Sequence, residues 1–164
     1  MPAEGRAVFQ SCASFFAYAF LAAEAHSFSM RSGEESTKLC HLIWMTRDGR
    51  LWFKIAAAAR FCERAVRHAC AAQRWKPETI VVLPDRVHIL VLVPLAEDRW
   101  SVSPRLQQAT TRLLAESGVL AEGTGPVWTG DGWCSVLPSA VSAAAVRRVL
   151  REKVAAYVGN NSDA

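Results

Sequence analysis

The segment Pro84-Asp85-Arg86-Val87-His88 carries the densest chemistry in the chain. On a β-strand, residues two apart share a face, so Arg86 and His88 point the same way. Two histidines at that spacing would make half of a divalent-metal site able to polarise a phosphate. Here the pair is one arginine and one histidine. Arginine has no lone pair to give a metal and is permanently charged, so its chemistry is anion binding. More cations follow near the C-terminus at Arg147, Arg148, Arg151 and Lys153. Such charges suit phosphate contacts, whose affinity comes from charge neutralisation and counterion release. They equally suit a solvated helix face.

The elements that would position these residues can be read from periodicity. Leu39–Thr46 reads as a strand closed by the turn Arg47-Asp48-Gly49-Arg50. From Trp52 to about Arg74, apolar residues recur at Ile55, Ala59, Cys62, Val66 and Ala69/Cys70, one face of a long helix that Pro77 ends. Its other face carries Arg60, Glu63, Arg64 and Arg67. Thr79–Leu83 and Val87–Val93 read as strands joined by a tight turn at Pro84-Asp85. Ser103-Pro104 reads as the N-cap and first residue of a second helix, with Leu106, Ala109/Thr110, Leu113 and Leu114 inward. Gly123 to Pro126 is a loop, and Trp133–Leu137 is a last strand. Ser142 then caps a helix carrying Val146, Val149, Leu150, Val154 and Tyr157. The order β-α-β-β-α-β-α implies an α+β sandwich, with helices on one face of a mostly antiparallel sheet.

Length and composition fit this reading. The chain has 164 residues, 51% hydrophobic and 21% charged, with a mean hydropathy of +0.11. That composition excludes a disordered chain. No apolar run reaches the ~18 residues a membrane helix needs, which excludes a multispan membrane protein. The net charge of +4 is unevenly spread. Residues 1–37 have two bases and four acids, whereas residues 38–164 have 17 bases and 11 acids, a net of +6. That balance favours a polyanion partner, though solubility alone also accounts for it. Five cysteines without a Cys-x-x-Cys pair argue against a disulfide framework or zinc knuckle, and for buried thiols in the cytoplasm. Trp75, Trp100 and Trp128 stand beside basic residues or loops, where core packing competes with stacking on bases.

Residues 1–37 form an extension distinct from the domain at 38–164. Its stretch Phe15–Ala23, followed by Ala23-Glu24-Ala25, has the outline of a secretory signal. Glu4 in the leading segment and the odd cysteine count favour an extension, or a true start at Met30.

Leu39 to Lys153, about 115 of the 164 residues, resembles the insertion-sequence-200-like transposases, the single-tyrosine members of the HUH nuclease class. The resemblance lies in the element order, in the His41 and Trp44 strand ending in Thr46-Arg47, and in the Pro-Asp-x-Val-His strand. It extends to Val93-Pro94, Ser103-Pro104 and its helix, Trp128, and the Gly132-aromatic strand before the final helix. It implies a ferredoxin-like or RRM-like sandwich of HUH type, acting as a homodimer on hairpin and single-stranded DNA. In that family a tyrosine cuts the strand with a divalent metal, Mg²⁺ or Mn²⁺, held by paired histidines and a glutamine. Carried over, the first metal histidine falls on Arg86 and the second on His88. The nucleophile falls on Val149 and the glutamine on Lys153. Valine has no nucleophile, and the two cations offer a metal no ligand. The expectation is a site with His88 as its only remaining metal ligand, no catalytic residue intact and no cofactor. It would hold DNA through Arg86, His88, Arg147, Arg148, Arg151 and Lys153. Two alternatives remain: an active nuclease using Tyr157, eight residues past Val149 and about 12 Å along the helix, or an interaction module that binds no nucleic acid.

Overall fold

The computed structural model describes residues 36–120, 126–138 and 140–161, of which 140, 141 and 157–161 are described by backbone alone. The signal-like stretch, Met30, and Gly123 to Gly125 of the glycine-rich loop lie outside the described residues. Alternation of apolar residues builds β1 (Thr37–Met45), β2 (Lys76–Leu83), β3 (Arg86–Pro94) and β4 (Trp133–Leu137). Helical periodicity builds α1 (Ala56–Ala72), α2 (Arg99–Glu116) and α3 (Ala140–Asn161), and a single 3-10 turn spans Arg47–Gly49. The strands form one sheet in the order β2-β3-β1-β4, antiparallel at every pairing. This is the α+β ferredoxin-like arrangement expected.

Strand parity divides the sheet into two faces. Cys40, Leu42 and Trp44 of β1 and Val87, Ile89, Val91 and Val93 of β3 turn toward α1 and α2. There they form one buried core with Cys62, Val66, Cys70, Val102, Leu106 and Leu114. Each fully buried aliphatic side chain contributes roughly 1.5–3 kcal/mol. The opposite face carries His41, Ile43, His88 and Leu90, which are also buried. Its cover is α3, which packs on both edge strands, β2 and β4, and therefore crosses the sheet. Ala143 and Leu150 are the buried residues of that helix among those whose side chains are described. So α1 and α2 share one face, and the C-terminal helix takes the other.

The helix ends differ from the sequence reading. The first helix begins at Ala56 rather than Trp52, because Phe53 is drawn into the core and its N–H bonds the Pro84 carbonyl at 3.1 Å. Ile55, expected on the apolar face, precedes the helix as its cap residue and is 70% exposed. Pro77 does not end α1. The chain reverses at Arg74 (φ +58), and Pro77 lies in edge strand β2, where a missing N–H is tolerated. The third helix begins at Ala140, so Ser142 lies inside its alanine-rich first turns rather than capping it. Cys40, Cys62, Cys70 and Cys134 are free thiols, the first three buried. Trp75 and Trp128 are core residues, whereas Trp100 is exposed.

The largest difference is at α2, which starts at Arg99, with the Asp98 carboxylate accepting from the Trp100 N–H at 3.2 Å. Pro104 lies within the helix, close enough to its start that the carbonyl it leaves unbonded belongs to exposed Trp100. Ser103 is turned inward. Its Oγ accepts from the Trp44 indole Nε1 at 2.9 Å and donates to the Asp131 carbonyl. Ser103→Ala orphans a buried indole N–H, so we expect a loss of about 2 kcal/mol. Urea unfolding should show this as a lower midpoint at unchanged slope.

Candidate nucleic-acid site

The register of β1 against β3 creates a feature that neither strand announces alone. Ile43 faces His88 and His41 faces Leu90, so the two histidines share the α3 side of the sheet, one pair apart. Their rings stack with centroids 5.6 Å apart and planes 22° apart. Nε2 of His41 lies 3.4 Å from Nδ1 of His88, so one ring donates and the other accepts. The tautomer chosen decides whether His88 Nε2 presents a proton or a lone pair. That atom is buried, with no hydrogen-bond partner among the described residues. The sequence reading took His88 as a solitary histidine. The structure corrects this, with a partner 47 residues upstream. Trp133 of β4 meets the His41 ring edge-on at 5.6 Å and is 40% exposed, an aromatic surface beside the pair.

Both histidines are held neutral. Burial pushes His41 down to about 4. Burial, and then the charges of His41, Arg86 and Lys153, push His88 down to about 3. Arg86 grips Asp85 with two hydrogen bonds, Nε to Oδ1 at 2.9 Å and Nη2 to Oδ2 at 2.7 Å. That grip holds the Asp85 carboxyl below the usual carboxylate range. Arg86 and Lys153 thus both bear on the charge of His88. The other expected cations are placed differently. Arg147 is ion-paired with Glu78 of β2, while Arg148 and Arg151 are exposed, Arg148 lying 4.0 Å from Glu152. Val149 is half-buried, one helical turn before Lys153 and on the same face of α3. Tyr157 lies one turn beyond Lys153, its side chain outside the described residues.

This donor set does not fit a divalent metal. The facing nitrogens of the two histidines are engaged with each other. Of the charged side chains that act on His88, Arg86 and Lys153 are cations that oppose positive charge there, and the one carboxylate, Asp85, is gripped by Arg86. Among the described residues, no group of three or more His, Cys, Asp or Glu is placed to hold one. The arrangement suits an anion better than a metal, since Lys153 and an Arg86 already paired with Asp85 border a buried neutral donor-acceptor pair.

The fold as a whole has counterparts among solved structures. A candidate transposase from Deinococcus radiodurans R1 superimposes with a TM-score of 0.56 at 16% identity, over 76% of this chain and 97% of that one. The chain shares that protein's fold. A REP-associated tyrosine transposase bound to a REP hairpin aligns with a TM-score of 0.48 at 12% identity, over 73% of this chain and 67% of that one. No family model matches the chain, and no curated protein does. Within this fold the histidine pair sits on the two central strands, under the C-terminal helix. No helix among the described residues is long and apolar enough to cross a membrane.

Proposed function

We propose that this is a transposase-like DNA-binding protein that holds hairpin or single-stranded DNA, as a homodimer, without cutting it. The observation that carries the reading is that cations, Arg86 and Lys153, border His88 where a metal-dependent nuclease needs ligands. Arg86 and Lys153 bind backbone phosphate, Trp133 gives an unpaired base a surface to stack on, and Arg148 and Arg151 extend the positive field along α3. Val149, at the position of the family nucleophile, has no atom with which to attack phosphorus.

Incubation with labelled hairpin-containing single strands and Mg²⁺ or Mn²⁺ should give retarded complexes and no covalent protein–DNA adduct. Recovery of an adduct overturns the proposal, and its loss in Tyr157→Phe would establish the nuclease instead. The Arg86→Gln/Lys153→Gln variant should bind single strands about tenfold more weakly and lower the salt slope of log K by about two. A gel shift that fails even at low salt would leave an interaction module.

A further inference from the structure

Two thiols that the histidine site does not use meet on the other face of the sheet. In the β1–β4 ladder Cys40 pairs with Val136 and Leu42 with Cys134, so the two cysteines are diagonal neighbours on one face. That is the core face, since Cys40 and Leu42 belong to the buried cluster and Cys134 packs against it. The Cys134 thiol is hydrogen-bonded to the Cys40 sulfur. Cys40 is fully buried, whereas Cys134 is half-buried on β4, an edge strand of the sheet. Two cations bear on the pair, Lys38 on both sulfurs and Arg99 on Cys134. The Lys38 ammonium donates to the carbonyls of Leu95 and Glu97, and the Arg99 guanidinium lies 4.3 Å from the Trp100 ring centre. Neither cation is ion-paired among the described residues, so both can offset negative charge on sulfur.

We propose that Cys40 and Cys134 form a binding site for a soft monovalent cation of the copper(I) class, held between two thiolates. Softness selects the ion, because thiolate sulfur favours Cu⁺ over the hard divalent cations. Ligand number selects it again. Structural zinc takes four ligands, and among the described residues no third His, Cys, Asp or Glu completes a cluster, so the occupant must be satisfied by two. Spacing argues against a disulfide. Diagonal neighbours in a sheet lie roughly 7–8 Å apart, and a disulfide cannot bridge Cα atoms beyond about 7 Å unless the backbone moves. An ion with bonds of about 2.3 Å to each sulfur sets them about 4.6 Å apart, a span that a diagonal pair supplies. Binding releases both thiol protons to solvent past Cys134, and the complex then carries one net negative charge facing Lys38 and Arg99. Cys62 and Cys70 make no such site, because eight residues of helix hold them about 12 Å apart. The ion would tie edge strand β4 to β1, and Trp133, next to Cys134, lies at the start of β4. The site stands independently of the DNA-binding reading.

The test is anaerobic titration of the reduced full-length protein with Cu⁺ against a chromogenic chelator. Wild type and Cys12→Ser should each retain one equivalent. Cys134→Ser should bind it at least about a hundredfold more weakly, beyond the roughly ten- to hundredfold that loss of a supporting residue costs. Far-UV circular dichroism checks the fold. Should Cys134→Ser misfold, the wild-type protein decides alone. Iodoacetamide should then alkylate Cys134 in the free protein and spare it after one equivalent of Cu⁺, as mapped by mass spectrometry. X-ray absorption at copper should report two sulfur neighbours. No retention by wild type, or unchanged affinity in folded Cys134→Ser, overturns the inference. A Cys40–Cys134 disulfide formed with peroxide in a protein that holds no Cu⁺ also overturns it and makes the thiols a redox pair. Three or more ligands at copper, or displacement by equimolar Zn²⁺, overturns the two-thiolate site.

Discussion

Between pH 7 and pH 4 the protein is expected to lose on the order of 5 kcal/mol of stability, comparable to the whole stability of an ordinary domain. The cause is the buried pair His41 and His88. In the unfolded chain both take up a proton near the ordinary histidine value of 6.5, but the fold holds them down to about 4 and about 3. Below 6.5 the unfolded chain binds more protons than the folded one, so stability falls as pH falls. The contribution is complete above 6.5 and is lost progressively as pH drops toward the folded values. Asp85, held low by Arg86, adds a loss of the same sign at more acid pH. Urea midpoints followed by tryptophan fluorescence across this range measure the effect. His41→Gln/His88→Gln removes both titrating groups and should flatten the curve between pH 7 and pH 4. Parallel curves for variant and wild type would show that the pair does not carry the pH dependence.

That histidine pair also marks where the sequence stops being informative. The strands were legible because each is a short alternating or apolar run bounded by turn residues, as at Pro84-Asp85 between β2 and β3. The order of elements then restricts the topology to few choices. His41 and His88 were each visible, but their meeting depends on the register of two strands that are not neighbours in sequence. A shift of one residue would put one of them on the other face. The α2 start failed for a different reason. Ser103-Pro104 is a good local cap signal, but Trp44 and Asp131 hold the Ser103 hydroxyl, and Asp98 caps the helix instead. Arg86 and Lys153 illustrate a third case. Their types were plain, yet only the resemblance, and then α3 crossing the sheet, brought both to bear on one histidine.

Gly132→Ala is expected to cost about 2–4 kcal/mol and to disturb single-strand binding as well as stability. Gly132 has φ +73, where a Cβ is disfavoured by itself, and that Cβ would stand 2.6 Å from the Trp44 ring, 2.9 Å from Ser103 Oγ and 3.0 Å from Gln107 Nε2. None of these can easily give way. Trp44 is fully buried, packs on Trp128 with ring centres 5.1 Å apart, and is tied to Ser103 through its indole N–H. Relief must therefore come from the backbone that leads into β4. The next residue is Trp133, whose ring meets His41 edge-on, so movement there is felt at the histidine pair. Gly130→Ala is the control. Its φ is +59, but a Cβ there meets nothing within 4 Å, so only backbone strain of about 1 kcal/mol remains. Urea unfolding should separate the two variants by at least about 1 kcal/mol, the added cost of overpacking the Trp44 environment. Single-strand affinity should fall in Gly132→Ala and hold in Gly130→Ala. Equal costs would mean that the Trp44 environment yields to an extra methyl, and that β4 is not held in place by the packing beneath it.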